Sequence, residues 1–419
     1  MNSKIWKLVI GIALLSLLIT ACGSAATPQA PTAPATTAPV VTESPSATSE
    51  PPIKVGASLP LTGNFSTPGT AAQKGYQLWA DMVNKSGGLL GRQVEFVIYD
   101  NASNPDTAVA DYERLITQDK VDLVVGPFSS KLVIPTSEVA AKYGYAFPEP
   151  AGGAPNVFNR GLTNIFFAQP APSVDQAIPF AKYILSLPAD SRPKTFAVIT
   201  GDDPFSVSVV ESVQKLLTDG GLTMVLKEVY PADTKDFSSL AAKVADKNPD
   251  LIIGGTQFED SVGQIKAYQQ AGYQPRGAMF TTGPSLPKEF SEALGAATEG
   301  VFAPISWFEA STIKTNPEFV KAYHDKYGAE PIAEDSANAF TVGQVLQQAV
   351  ENIQSVDNAK LIEEMHKATF TTVVGPLSFD ALGQPKGSFM VLQWQGGKIV
   401  IVGPDYAKQA DPIWPKPQW

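Results

Sequence analysis

Val121-Asp122-Leu123-Val124-Val125 runs directly into Gly126-Pro127-Phe128-Ser129-Ser130, and a segment with helical spacing follows at 135–143. A short β-branched run, a turn of glycine, proline and serine, and then an amphipathic helix form one half of a βαβ unit. The same pattern repeats on both sides. Apolar runs at 53–59, 94–99, 195–200, 222–229 and 251–253 read as buried strands. Between them, 71–84, 107–117, 209–218 and 237–247 carry helical spacing. Strands and helices alternating in this way imply parallel sheets with helices on both faces. Segments 317–327, 336–352 and 359–368 are helical in succession, and 391–394 with 398–402 read as a hairpin around Gly396-Gly397. The expected fold class is α/β, with two lobes built on parallel-sheet cores. Strand order stays open at this level.

The strand ends draw attention to a site. Besides the turn at 126–130, Tyr145-Ala146-Phe147 runs into Pro148-Glu149-Pro150-Ala151-Gly152-Gly153, and Ile252-Ile253 runs into Gly254-Gly255-Thr256-Gln257. In open α/β sheets the carboxyl ends of the strands face a crevice where ligands bind. Glycine lets a ligand approach the backbone, and a helix starting near Ser130 offers free N–H groups to an anion. The plainer reading is that Gly, Pro and Ser merely punctuate βα turns. Three such turns together favour a binding crevice, with Ser129, Ser130, Ala151, Gly152, Gly153, Thr256 and Gln257 as its candidates.

The amino terminus gives an address. Lys4 and Lys7 precede an apolar or small-residue run at 8–19, and Ile19-Thr20-Ala21-Cys22 follows. This is the layout of a secretory signal peptide, and its last four residues resemble a bacterial lipobox. That resemblance implies that Cys22 is lipidated, becomes the first residue of the mature chain and holds it on a membrane. An ordinary cleaved signal, or a short uncleaved anchor with Cys22 incidental, is the alternative; in every case the rest of the chain is exported. Residues 23–52 are almost entirely Ala, Pro, Thr and Ser and read as a disordered tether. Such a tether spans roughly 30 Å as a flexible coil and about 90 Å as polyproline. An O-glycosylated stalk is a second use of the same composition.

Composition excludes several functions. Without 1–22 the chain keeps 29 basic and 41 acidic residues, a formal charge of −12, and has no basic runs. That argues against nucleic acid. A single cysteine permits no internal disulfide. The two histidines, His324 and His366, sit in charged helical segments and read as solvated faces. No zinc spacing, phosphate-cradling GxxxxGK[ST] loop or G-x-S-x-G elbow occurs. Pairs such as Asp202-Asp203 and Glu334-Asp335 are what any acidic chain carries, and nothing singles out an acid and a base in contrasting environments. The expectation is a binding protein without catalysis, cofactor or metal.

From residue 53 to about 415 the chain resembles the type I periplasmic solute-binding proteins of the branched-chain amino acid transporter class. The resemblance rests on Ile53-Lys54-Val55-Gly56, Leu61-Thr62-Gly63, the run from Asn84 to Arg92, Tyr99-Asp100-Asn101, Val125-Gly126-Pro127, Asp236-Phe237-Ser238 and Asn248-Pro249-Asp250, in that order. It implies two Rossmann-like lobes joined by three hinge crossovers, closing on a small ligand and docking as a monomer on an ABC permease. By position the first lobe would be 53–170 plus 304–375 and the second 171–303 plus 376–419. The hinges would fall at 166–169, 300–305 and 373–377.

Carried over by residue, Ser130 matches the serine that binds the ligand carboxylate, and Ala151 the residue whose backbone contacts the amino acid. The chain then departs from the pattern. Gly153 stands where a threonine is usual, and Phe205 replaces a tyrosine. Near Thr256-Gln257 a further tyrosine is common, and the acid that pairs with the ligand ammonium falls near Gly283, where there is none. Asp335 is the substitute, with Glu334 and Glu149 as alternatives; Asp335 also reads as a plain first-turn acid of its helix. Phe65, Phe128 and Phe205 suit an apolar or aromatic ligand body, or simply the core. The implied ligand is an amino acid or a related small carboxylate or amide.

Overall fold

The computed structural model describes residues 50–419, so the signal segment and residues 23–49 of the tether lie outside the described residues. Alternation along the apolar runs produces two separate parallel-sheet cores. The strands, in chain order, are β1 (Ile53–Leu59), β2 (Val94–Asp100), β3 (Leu123–Val124), β4 (Phe147–Glu149), β5 (Ile165–Phe167), β6 (Thr195–Gly201) and β7 (Thr223–Tyr230). They continue as β8 (Leu251–Gly255), β9 (Gly277–Phe280), β10 (Val301–Ile305), β11 (Phe370–Thr372), β12 (Gly375–Leu377), β13 (Met390–Gln395) and β14 (Lys398–Gly403). The helices are α1 (Ser66–Lys85), α2 (Pro105–Thr117), α3 (Ser130–Lys142), α4 (Pro155–Phe158), α5 (Ile178–Ser186) and α6 (Pro204–Asp219). After them come α7 (Ser238–Lys247), α8 (Phe258–Gln270), α9 (Pro287–Leu294), α10 (Asn316–Tyr327), α11 (Glu334–Ile353) and α12 (Asn358–Lys367).

In the first core the strand order is β2-β1-β3, all parallel. The parallel pair β4–β5 continues it through a bond from Gly126 N–H to the Pro148 carbonyl, 2.9 Å. Ile53, Val55, Ala57 and Leu59 of β1 point to one face and meet Trp79, Phe340 and Val345 from α1 and α11. In the second core the order is β14-β13-β10-β9-β8-β6-β7, with β13 and β14 antiparallel. Here the period of two is explicit. Phe196 and Val198 of β6 enter one apolar cluster, and Ala197 and Ile199 enter the cluster on the opposite face. Leu251 and Ile253 of β8 oppose Ile252 in the same way.

Both sheets reverse direction at their first strand: β1 has β2 on one side and β3 on the other, and β6 has β7 on one side and β8 on the other. These are the switch points at which a crevice opens beyond the carboxyl ends of the strands. Several details differ from the sequence expectation. β3 is two residues long rather than 121–125, because beyond Val125 the backbone turns to Pro148. α3 starts at Ser130, where the turn placed it, five residues before the segment with helical spacing, and holds Pro135 inside it. The stretch 373–377, expected to cross, instead forms β12 and its turn from β11, with Val373 and Leu377 in the first core. Phe379 packs there too, 5.3 Å from the Phe166 ring. Among the described residues no helix is long and apolar enough to cross a membrane.

Candidate ligand site

The loops that leave β3, β4, β6, β8, β9 and β10 all end at one place. Each carries backbone groups that its strand no longer pairs, so each is fixed by its own side chains. At the end of β3, Ser129 caps α3: its Oγ accepts from Lys131 N–H at 3.2 Å, with Ser129 itself at φ +81°. A non-glycine residue in that region costs roughly 1–3 kcal/mol and tends to be kept where function requires it. At the end of β4, the buried Glu149 carboxylate accepts from Ala151 N–H at 2.8 Å and from Gly152 N–H. Gln169 Nε2 donates to the Pro150 carbonyl (2.6 Å), and Ser173 Oγ to that of Gly153.

After β6, Asp203 caps α6 by accepting from Ser206 N–H at 3.0 Å, and the same oxygen accepts from Gln257 Nε2 at 3.3 Å. After β8, the Asp260 carboxylate in the first turn of α8 accepts from Gln257 N–H at 3.3 Å. After β10, Glu334 at the start of α11 accepts from both the N–H (2.8 Å) and the hydroxyl (2.7 Å) of Ser306. Its neighbour Asp335 makes no hydrogen bond or ion pair through its carboxylate among the described residues, although only 8 % exposed.

These loops enclose a narrow cavity of about 40 Å³, well under the usual ~300–1,000 Å³ of small-molecule pockets. Phe128, Ser129, Ala151, Phe167 and Gln169 line it from the first core, and Gln176, Phe205, Gln257, Thr281 and Thr282 from the second. Pro304, Ile305, Glu334, Asp335, Asn338 and Phe389 complete the wall. Its carboxylates are strained electrostatically. Burial pushes Asp335 well above the ordinary carboxylate range, and the Glu334 and Glu289 charges add to this. Burial also raises Glu334 against the pull of its serine partners, raises Asp203, and lifts Asp260 to about 6 and Glu149 to about 8.

Five of the ten sequence candidates line the cavity: Ser129, Ala151, Phe205, Gln257 and Asp335. The other five support it from behind. Ser130 is fully buried, and its Oγ accepts from Ala154 N–H at 3.1 Å. Thr256 Oγ1 donates to the Thr282 carbonyl (3.1 Å), tying the β8 and β9 loops together. Phe65 stacks at a tilt behind Phe128, with ring centroids 6.0 Å apart. A Cβ on Gly152 would lie 2.6 Å from Val133, and one on Gly153 would lie 2.6 Å from the Phe167 ring. Neither histidine reaches the cavity. His324 pairs with Glu309 at 2.8 Å. His366 is half-buried, with its two ring nitrogens meeting the carbonyls of Thr163 and Asp380.

Residues 52–398 match the sequence profile of a family described as periplasmic binding protein. The chain belongs to the periplasmic binding protein family. It is similar to Leu/Ile/Val-binding protein homolog 7 of Brucella suis biovar 1 (strain 1330), with 28 % identity over 373 residues covering 85 % of this chain and 92 % of the relative. Its fold is similar to the crystal structure of a leucine-binding protein, LivK, of Thermotoga maritima MSB8 (TM-score 0.75, 24 % identity, 84 % of this chain and 98 % of that one). It is equally similar to an ABC transporter solute-binding protein of R. palustris in complex with benzoate (TM-score 0.75, 23 % identity, 85 % and 99 % covered). These relatives are binding proteins of transporters, not enzymes.

The departures from the family pattern now have physical causes. Gly153 replaces the usual threonine because Phe167, a cavity wall, occupies the space a side chain would need. Near Gly283 no acid fits: the glycine has φ +111°, and a Cβ there would lie 2.0 Å from Ser261 Oγ. Sequence reasoning missed Thr281, Thr282, Gln176 and Phe389. β9 reads Gly-Ala-Met-Phe, without a β-branched residue, so it gave no strand whose end could be followed. Asn338 was findable, one helical turn after Asp335 on the same face of α11. Phe167, Gln169, Pro304 and Ile305 fell in stretches expected as hinges, and they line the cavity as well.

Proposed function

We propose that this chain is the lipid-anchored, extracytoplasmic substrate-binding subunit of an ABC importer, capturing a small ligand in the cleft between its lobes and delivering it to the permease. The observation that carries the reading is the cavity itself: it lies at two facing switch points, and its aromatic and polar walls come from both sheet cores. The family and the Leu/Ile/Val-binding relative support transport of an amino acid or related molecule. The benzoate complex of the R. palustris protein extends the fold's range to a carboxylate that is not an amino acid.

The lobes are 53–170 plus 304–375, and 171–303 plus 376–419, with two adjustments. We draw the third crossover at 386–389, because Phe379 packs with Phe166 and Phe370 and the Gly383 carbonyl accepts from Phe167 N–H at 3.0 Å. The second crossover lies at 305–307, where Ile305 belongs to the second core and Trp307 to the first. Closure about such hinges gives the permease a liganded form to distinguish from the open one. Ser129, Ala151, Phe205, Gln257 and Asp335 are the proposed contact residues. Lipid on Cys22 and the 23–52 tether keep the monomeric capture domain within reach of its permease.

Thermal unfolding of the purified chain against a panel of amino acids, amides and aromatic acids tests capture. A ligand at 100 times its dissociation constant should add about 2.7 kcal/mol. No stabilisation by any panel member sinks the reading. Cys22→Ala tests the anchor separately: the variant should leave the membrane fraction and bind ligand as before.

A further inference from the structure

The polar groups of the cavity are unevenly spent, and the imbalance identifies a ligand class. Four N–H groups in the loops around the cavity are taken by the protein's own acceptors. Glu149 holds those of Ala151 and Gly152, Ser130 Oγ holds that of Ala154, and Ser129 Oγ holds that of Lys131. Two cavity-lining glutamines each commit one N–H to the protein as well: Gln169 Nε2 bonds the Pro150 carbonyl and Gln257 Nε2 bonds Asp203. Gln257 Oε1 is buried with no hydrogen-bond partner among the described residues.

The charges point the same way. Glu334 and Asp335 line the cavity, and no lysine, arginine or histidine does. Glu334 is engaged by Ser306, but Asp335, 8 % exposed, has no partner among the described residues. A carboxylate brought into this space would meet two acids; a cation would meet an unpaired acid. The faces of Phe128, Phe167, Phe205 and Phe389 in the wall are attractive to a cation and to an aromatic body. Asn338 lies in the same wall, its amide 2.9 Å from Ser306 Oγ, and offers an N–H to a neutral carbonyl.

We propose that the cleft takes an organic cation without a carboxylate, an aromatic amino-acid amide or arylalkylamine, its ammonium on Asp335 and its ring among the four phenylalanines. This rests on the capture reading above and narrows its substrate. The anchor expected at Ser130 for a ligand carboxylate is, in this chain, replaced by the internal carboxylate of Glu149.

Isothermal titration of the full-length protein with phenylalaninamide, phenethylamine, phenylalanine, leucine and benzoate at pH 7.5 tests it. Phenylalaninamide should bind at least tenfold more tightly than phenylalanine, and Asp335→Asn should weaken it at least tenfold. Asp335→Asn removes one of two adjacent buried acids and keeps the side-chain shape, so far-UV circular dichroism should be unchanged. Glu149→Ala frees two N–H groups and should raise the affinity for phenylalanine several-fold. Tighter binding of phenylalanine, leucine or benzoate than of either amine overturns the cation assignment and leaves capture standing. Unchanged phenylalaninamide affinity in Asp335→Asn overturns it too, and binding of no probe overturns both.

Discussion

Glu149→Gln should convert a pH-sensitive protein into a less sensitive one. Glu149 is fully buried at the end of β4; one oxygen accepts two backbone N–H groups and the other has no partner among the described residues. Burial raises its pKa from the 4.5 of a free glutamate to about 8. Between those values the unfolded chain has released the proton and the folded chain keeps it. Raising the pH therefore favours unfolding, by up to about 1.4 kcal/mol per pH unit. The contribution is complete below pH 4.5, falls through the interval and is lost above about 8. Over the whole interval this amounts to about 5 kcal/mol, a large share of a typical ~5–15 kcal/mol stability. Glutamine reproduces the neutral form: its carbonyl accepts the two N–H groups, and its NH₂ stands where the protonated oxygen stood. Asp203, Asp260, Glu334 and Asp335 are raised as well, so the total curve is steeper and only the difference between the two proteins isolates Glu149. Urea unfolding followed by tryptophan fluorescence at pH 5, 6, 7 and 8 should show the variant gaining about 4 kcal/mol on the wild type across the series. Curves that stay parallel would refute the assignment of a retained proton to Glu149.

Ser130→Ala leaves Ala154 N–H buried without its acceptor and should cost about 1–3 kcal/mol in urea unfolding, with ligand affinity unchanged by calorimetry. Gly153→Ala places a methyl 2.6 Å from the Phe167 ring and should destabilise by about 1–3 kcal/mol; a melting temperature equal to wild type would show that the ring can move aside. Phenylalaninamide binding should weaken as the pH falls, because Asp335, faced by Glu334 on its own helix and by Glu289 on α9, is raised and must lose its proton to meet the cation. Titrations in two buffers of different ionisation enthalpy should then report proton release on binding, and none in Asp335→Asn.

Much of this fold is written locally. The runs at 53–59 and 195–200 declare strands because every second residue enters one core and the residues between enter another environment, a pattern any reader of the chain can follow. The turns after β3, β4 and β8 were equally legible, since glycine and proline at strand ends mark where the backbone leaves the ladder. What the chain conceals is which groups in those turns face one another. Ser130 and Ser129 are adjacent and chemically identical, yet one lines the cavity and the other is buried against Ala154. That division follows from the φ of +81° at Ser129, a tertiary property. β9, with glycine, alanine, methionine and phenylalanine, shows no strand preference of its own and is a strand only because β8 and β10 flank it.

Glu149 shows why conserving a turn does not conserve its use. The backbone N–H groups of Ala151 and Gly152 are dipoles that some negative or polar partner must satisfy, because buried donors left unpaired cost about 1–3 kcal/mol each. A ligand carboxylate does this only while the site is occupied. Glu149, two residues before Ala151, satisfies both N–H groups whether or not the site is occupied. The cost moves to the glutamate, which stays protonated near neutral pH because burial outweighs its two hydrogen bonds. On the proposal made above, selectivity rests on α11, where Asp335 is the acid left without a partner among the described residues. A cation on Asp335 or a neutral carbonyl then completes, on that proposal, the wall that these two loops leave.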